Sequence, residues 1–237
     1  MIRAVLFDMG GTLDGDGLHW LDRFARLYDD AGVVLPRERI RAAFDAAERR
    51  AAADDAIATD NLESMLARHV GWQLEELSLT SENLQRRIAE RFVGDVRACA
   101  AANAGLLAQL RDRGLALGVV SNGCGNVDVL CDDLGYARHL SAIVDSRRVG
   151  LYKPDPAIFI YAAARLGTPA AQTLMVGDSF DRDVRPAKSA GMMTAWLEGA
   201  APRDCPDPSL ADIRLRRLAD LPSALETSAI AVGAPRS

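Results

Sequence analysis

Short apolar runs alternate with helix-like patterns along most of this 237-residue chain. The runs have the length and composition of buried strands, and they cover residues 2–7, 115–120, 172–176 and 193–197, with a weaker one at 142–144. Apolar residues at helical spacing indicate helices over 104–113, 127–134, 156–166 and 183–190. This alternation predicts an α/β fold with a doubly wound parallel sheet covered by helices on both faces.

Residues 15–95 interrupt the alternation. They contain no convincing strand, and apolar residues such as Leu62, Met65, Leu66 and Val70 recur there at helical spacing. We therefore predict an α/β core made of residues 1–14 and 96–237 and an inserted helical domain made of residues 15–95. The residues from Ser228 onward are small and polar, which predicts a frayed end.

Charge and cysteine content narrow the possible functions. The net charge of -5 and the pI of about 5.3 argue against nucleic acid as a partner, because binding a phosphate backbone needs a basic face. No apolar run is long enough to span a membrane. The cysteines have neither C-x-x-C nor zinc-ligand spacing, so we interpret them as free thiols of a reducing cytosol: Cys99, Cys124, Cys131 and Cys205. We expect a cytoplasmic protein that is a monomer or a homodimer.

Polar segments lie at or near the ends of the predicted strands. They are Asp8-Met9-Gly10-Gly11-Thr12, Ser121-Asn122-Gly123, Gly150-Leu151-Tyr152-Lys153-Pro154 and Gly177-Asp178-Ser179-Phe180-Asp181-Arg182-Asp183. The carboxyl ends of parallel strands meet at one edge of a sheet, where open α/β folds keep their ligands. Clustered carboxylates repel each other unless a cation joins them, which indicates a hard divalent ion such as Mg²⁺. A lysine and free backbone amides beside that ion suit a phosphate group.

These four segments, in this order, resemble the motifs of the haloacid dehalogenase superfamily. The stretch at residues 148–159, which contains Lys153, is especially typical of it. The resemblance covers residues 1–14 and about 96–225, and it implies a Rossmann-like core with a C1-type helical cap at residues 15–95. Most members of the superfamily are Mg²⁺-dependent phosphatases that act through an aspartyl-phosphate, so the resemblance implies a small phosphorylated metabolite as substrate.

The resemblance also implies roles for individual residues. Asp8 matches the nucleophile, and Lys153 matches the lysine that offsets charge on the nucleophile and on the phosphate. Thr12 and Ser121 match hydroxyl groups that hold the phosphoryl group. Backbone amides near Asn122 and in the loop after Asp8 match the groups that assist them.

The implied metal site combines side chains with one backbone group. Asp178 matches a direct ligand, Asp183 a supporting carboxylate, and Asp8 completes the carboxylate set. Family phosphatases usually have a second aspartate two residues after the nucleophile, and this chain has Gly10 there. Glycine still supplies the backbone carbonyl that binds the metal, but it removes the acid/base that protonates the leaving group and activates water, worth about 10²–10⁴-fold in rate.

Three residues after the loop are candidates for replacing that acid/base. Asp14, Asp16 and His19 all follow Gly10 closely enough in the chain to reach the site.

Other functions stay open at the level of sequence. A 2-haloacid dehalogenase uses the same nucleophile without a metal and typically has an aromatic residue where this chain has Gly10. A phosphonate-cleaving enzyme needs a cap lysine for a Schiff base, and residues 15–95 contain no lysine. A catalytically weak binding or regulatory protein is the remaining alternative.

Overall fold

The computed structural model describes residues 1–201 and 203–227. Six strands form one parallel sheet in the order β3-β2-β1-β4-β5-β6. They are β1 (Ala4–Phe7), β2 (Ala116–Ser121), β3 (Ala142–Asp145), β4 (Thr173–Gly177), β5 (Met193–Leu197) and β6 (Ile213–Leu215). The predicted doubly wound parallel sheet is thus confirmed, and so are its five predicted strands. The edge strand β6 was not predicted, because three residues are too few to show a period.

Nine α-helices surround the described part of the sheet. They are α1 (Trp20–Asp30), α2 (Arg37–Ala53), α3 (Leu62–Glu76), α4 (Glu82–Asp112), α5 (Val127–Asp133), α6 (Ser146–Val149), α7 (Pro156–Arg165), α8 (Arg185–Ser189) and α9 (Leu221–Thr227). The first four fall where the sequence predicted a helical insert. Helix α4 has 31 residues and contacts α1, α3 and β2, so it continues across the predicted boundary at residue 95.

Alternate residues of the strands pack on opposite faces of the sheet. In β1, Val5 and Phe7 belong to the large apolar cluster that includes residues of α1–α4, whereas Leu6 belongs to the cluster built with α7. All three are fully buried, as expected for a parallel strand covered on both sides.

The strand order places a crevice at the carboxyl end of β1. The chain builds outward from β1 through β2 and β3 on one side and through β4, β5 and β6 on the other, and such a switch point is where open α/β sheets bind ligands. Phe7 lies beside Val119 of β2 and Val176 of β4, so the residues that follow these three strands are neighbours in space.

Two further predictions concern the last residues of the chain and membrane-spanning helices. The predicted frayed residues from Ser228 onward lie outside the described residues. Within the described ranges, no helix combines the length and the apolar composition needed to cross a bilayer.

Candidate active site

Three carboxylates that are separate in sequence meet at the switch point. Asp8 follows β1, Asp178 follows β4, and Asp183 lies in the turn before α8. One oxygen from each lies within 4.8 Å of the others, and all three residues are buried. The sequence predicted this juxtaposition from the edge that parallel strands share.

Lys153 is the one lysine in contact with this described carboxylate cluster. Its Nζ donates to Asp8 Oδ1 at 2.5 Å and to Asp183 Oδ1 at 2.6 Å. The side chain of Asn122 holds the lysine backbone, because its Oδ1 accepts from Lys153 N at 2.8 Å and its Nδ2 donates to Lys153 O at 2.9 Å. Asn122 therefore positions Lys153 through its side chain.

The cluster has more negative charge than one lysine can balance. Burial would lower the pKa of Lys153, but the ion pairs with Asp183 and Asp8 outweigh it and raise that pKa. Burial and the fields of Asp8 and Asp183 raise the pKa of Asp178 well above its usual value. Burial also raises the pKa of Asp183 to about 6, although Lys153 opposes the rise. Buried oxygen ligands with unbalanced charge fit a hard divalent cation.

The loop after β1 is fixed by contacts with distant parts of the chain. Asn103 Nδ2 and Tyr136 Oη each donate to Leu13 O at 2.8 Å. Gly11 has a φ of +88°, and a Cβ there would lie 2.7 Å from Asp178 Oδ2. Glycine is needed at this position both for the left-handed backbone and for the approach of Asp178.

The predicted phosphate-binding hydroxyls occupy different positions. Ser121 lies at the end of β2 and lines a cavity above the carboxylates. Thr12 is fully buried; its Oγ1 accepts from Asp178 N at 3.0 Å and lies 3.4 Å from Asp8 Oδ2. This position makes Thr12 a brace between the two carboxylates, and it does not bring the hydroxyl to the cavity wall.

The cavity has a volume of about 680 Å³ and lies between the strand ends and helices α1–α4. Its floor includes Asp8, Gly10, Ser121, Lys153 and Asp178. Its other walls carry aromatic and charged side chains, including His19, Trp20, Arg41, Phe44, Glu48 and Arg182. A cavity of this size holds a small metabolite.

The three candidate replacements for the missing acid/base are separated by the structure. Asp16 Oδ1 accepts from Leu218 N at 2.6 Å and lines a different cavity from the one above Asp8. Asp14 and His19 both line the cavity above Asp8. Only these two therefore retain a place near the site.

Asp14 is held firmly beside Gly10. Its Oδ1 accepts from Gly11 N at 2.6 Å, and its Oδ2 accepts from Trp20 Nε1 at 2.7 Å. Burial raises the pKa of Asp14 to about 6, although the nearby Arg23 guanidinium lowers it. An acid with this pKa can release and regain a proton near neutral pH.

His19 has a defined tautomer in its neutral form. Its Nδ1 accepts from Leu21 N at 3.2 Å at the start of α1, which leaves the proton on Nε2. Burial and the charge of Arg182 lower its pKa, so the ring presents a hydrogen-bond donor more readily than a positive charge.

Two residues that brace Asp178 were not predicted to do so. The carbonyl oxygen of Asp178 accepts from Trp196 Nε1 at 3.0 Å and from Arg203 Nη2 at 3.1 Å. Trp196 is also a buried core residue. The one available signal was its place in the strand beside β4, opposite Gly177.

Comparison with known proteins agrees with this geometry. A family model described as haloacid dehalogenase-like hydrolase matches residues 2–191. The chain belongs to this family of hydrolases. Membership accounts for the order of the four motifs and for the strand ends at which they lie.

Named relatives of this haloacid dehalogenase-like hydrolase include phosphatases. A phosphoserine phosphatase from Thermus thermophilus is 38% identical over 115 residues, which are 46% of this chain and 45% of that protein. A glyceraldehyde 3-phosphate phosphatase from Methanothermobacter thermautotrophicus is 29% identical over 202 residues, which are 81% and 84% of the two chains. The chain thus spans less than half the length of the first of these relatives.

Among solved structures, a 2-haloacid dehalogenase from Pseudomonas syringae has a TM-score of 0.54. It is 22% identical, and the match covers 95% of this chain and 99% of that one. Similarity of this degree shows that the fold is shared. The fold alone does not separate a phosphatase from a dehalogenase.

Proposed function

We propose that this hydrolase is a Mg²⁺-dependent phosphomonoesterase that acts on a small phosphorylated metabolite through an aspartyl-phosphate on Asp8. The observation that carries the proposal is the group of Asp8, Asp178 and Asp183 with Lys153 on the floor of a metabolite-sized cavity. The names of the two phosphatase relatives support a phosphate ester as the substrate.

The metal would be held by Asp8, Asp178, Asp183 and the backbone carbonyl of Gly10. These are hard oxygen donors. The pKa values of Asp178 and Asp183 are raised because the carboxylates are buried and repel each other, and a bound cation would offset this repulsion. When bound, Mg²⁺ supplies positive charge that stabilises the phosphoryl group during transfer.

Asp8 performs the covalent step in this proposal. One carboxylate oxygen attacks phosphorus in line, the bond from phosphorus to the ester oxygen breaks, and the leaving oxygen takes a proton. Water then attacks the phosphorus of the aspartyl-phosphate, releases inorganic phosphate and restores the Asp8 carboxylate. Lys153 pairs with Asp8 and offsets negative charge throughout.

The alternatives fit the site less well. A metal-independent dehalogenase gives no role to Asp178 as a cation ligand, and the absence of lysine from residues 15–95 leaves a phosphonate-cleaving enzyme without its Schiff base. A binding or regulatory protein needs neither the buried ion pair of Lys153 with Asp8 nor its cost in desolvation.

The test is phosphate release from a panel of phosphorylated metabolites, p-nitrophenyl phosphate and acetyl phosphate, with Mg²⁺ and with chelator. We expect release that chelator abolishes and Mg²⁺ restores. Halide release from 2-haloacids in chelator would instead establish the dehalogenase. Absence of both activities would favour the binding protein.

Asp14 is our proposed proton donor, and its replacement should change both rate and pH dependence. Asp14→Asn is expected to lower kcat/KM for an alkyl phosphate about 10²-fold, because the leaving alkoxide needs a proton. With Mg²⁺ kept saturating at every pH, wild-type kcat/KM should fall as the pH rises through about 6, where Asp14 loses its proton, and the variant should lose this transition. Acetyl phosphate, which has a good leaving group, should change far less in a pH-rate series.

His19→Gln is the matched comparison for Asp14→Asn. The proposal predicts that it leaves the transition near pH 6 in place. Loss of that transition in His19→Gln, with retention in Asp14→Asn, would assign the proton to His19.

Introducing the missing aspartate should raise activity. A Cβ at Gly10 would lie 3.7 Å from Trp20 Nε1, an ordinary contact, and the φ of -74° suits any residue. Gly10→Asp is therefore expected to increase kcat for an alkyl phosphate by about 10-fold or more. Gly10→Asn is the control, and an equal increase in both variants would show that no proton transfer was gained.

A further inference from the structure

One chain of hydrogen bonds crosses the interior of α1–α3 and ends at the cavity. Tyr28 Oη donates to Gln73 Oε1 at 3.3 Å, and Gln73 Nε2 donates to His69 Nδ1 at 2.8 Å. The remaining proton of a neutral His69 is then on Nε2, which donates to Glu48 Oε1 at 2.9 Å.

The residues of this chain are held in fixed orientations. Tyr28, His69 and Gln73 are buried, and the His69 ring stacks on Phe24 with ring centroids 5.4 Å apart and planes inclined by 9°. Polar groups in an apolar interior are costly unless each has a partner, and here Tyr28, Gln73 and His69 each have one. These hydrogen bonds therefore fix the position of the Glu48 carboxylate.

Glu48 is the end of the chain that faces the ligand space. It lines the cavity above Asp8, and its side chain keeps 46% of its accessible area. Only Oε1 is engaged; Oε2 has no hydrogen-bond partner among residues 1–201 and 203–227. Burial works against the charged form, but the hydrogen bond from His69 and the positive charge of Arg182 lower the pKa of Glu48, so it is ionised near neutral pH.

We infer that Glu48 is a specificity residue whose free oxygen accepts a hydrogen bond from a hydroxyl or ammonium group on the leaving group of the substrate. This inference rests on the proposed phosphomonoesterase, because the phosphoryl group is placed at Asp8 and the leaving group then extends toward α2. The substrate class is a phosphate monoester of a polyol or an amino alcohol. Simple alkyl esters lack the donor and would leave the carboxylate unpaired.

Binding of non-hydrolysable phosphonates tests this without turnover. Unsubstituted alkyl, ω-hydroxyalkyl and ω-aminoalkyl phosphonates of two to six carbons would be titrated into the Mg²⁺-loaded protein by calorimetry. At the best chain length, a donor-bearing phosphonate should bind about 10- to 100-fold more tightly than the alkyl phosphonate of equal length. The hydroxyl and amino series tell a polyol from an amino alcohol.

Three variants test whether the preference comes from Glu48. In Glu48→Gln the amide oxygen can still accept from His69, but the cavity receives an NH₂ group in place of a free acceptor, so the preference should disappear. Asp45→Asn removes a charge from the same helix and the same cavity and should keep the preference. His69→Phe keeps an aromatic ring and should weaken the preference without changing affinity for the alkyl phosphonate.

The outcomes are separable. Equal affinity of the three series at every length, or equal weakening of all series in Glu48→Gln, overturns the role of Glu48. Failure of the wild-type protein to hydrolyse p-nitrophenyl phosphate with Mg²⁺ counts against the proposed function instead. Turnover without a donor preference counts against this inference alone.

Discussion

Asp8→Asn is expected to reduce Mg²⁺-dependent phosphate release by about 10³-fold or more, because the amide cannot form the acyl phosphate. Asparagine has the shape of aspartate, and its oxygen can still accept from Lys153 in the position of Asp8 Oδ1. The loss should therefore appear in kcat with the fold intact, as judged by the melting temperature.

The covalent intermediate can be observed directly in the same experiment. Acid-quenched wild-type protein incubated with ³²P-labelled substrate should retain label that hydroxylamine removes, and Asp8→Asn should retain none. Asp181→Asn is the control, since its carboxylate is exposed, pairs with Arg185 and does not line the cavity. Wild-type rates in Asp8→Asn would contradict a nucleophilic role.

Asp178→Asn is expected to abolish stabilisation by Mg²⁺. A ligand at 100 times its Kd stabilises the folded state by about 2.7 kcal/mol, which corresponds to a rise of about 5–10 °C in the melting temperature of a chain this size. Wild type should show this rise on addition of MgCl₂ at pH 7.5. Without metal, the variant should melt higher than wild type, because it lacks one buried charge that Asp8 and Asp183 repel.

The stability of the metal-free protein should also depend on pH, and the sign of this dependence follows from the raised pKa values. A carboxyl group whose pKa is raised on folding binds its proton more tightly when folded, so its ionisation lowers stability as pH rises. The pKa values of Asp14 and Asp183 are both raised from 3.8 to about 6. The metal-free protein should therefore lose stability as the pH rises from about 4 to about 6.

In the proposed site, protons and Mg²⁺ would compete for Asp178 and Asp183, so the Mg²⁺-dependent rise in melting temperature should be smaller at pH 5.5 than at pH 7.5. Asp181→Asn should behave as wild type at both pH values. An equal rise in wild type and Asp178→Asn would contradict a metal site at Asp178.

Much of the site followed from local sequence because parallel strands share one edge. Asp8 and Asp178 directly follow strands, and Lys153 lies in one of the four motifs. The fold class alone was therefore enough to predict that the three side chains lie close together. What each side chain does there was less predictable. The role predicted for Thr12 is phosphate binding, and no local pattern indicates that its buried hydroxyl accepts from Asp178 N, a contact between residues 166 positions apart.

Other features depended on how helices are aligned in space. The partner of Asp16 is Leu218 N, 202 residues away, so its distance from the active-site cavity could not be inferred from a position two residues after Asp14. Glu48 and His69 look like ordinary polar helix residues, and only the packing of α2 on α3 joins them. The strand β6 was missed because pairing with β5 defines it, whereas its three residues carry too little pattern.

Helix α4 connects the helices above the cavity to the sheet below it. It is about 46 Å long at 1.5 Å per residue, packs on α1 and α3 toward one end, and reaches β2 at the other. The backbone passes from the sheet to α1–α3 through the turns at residues 14–19, and it returns to the sheet through the continuous helix α4. A movement of α1–α3 as a unit relative to the sheet would therefore tilt or bend α4, and it would couple the width of the cavity to the strand that carries Ser121.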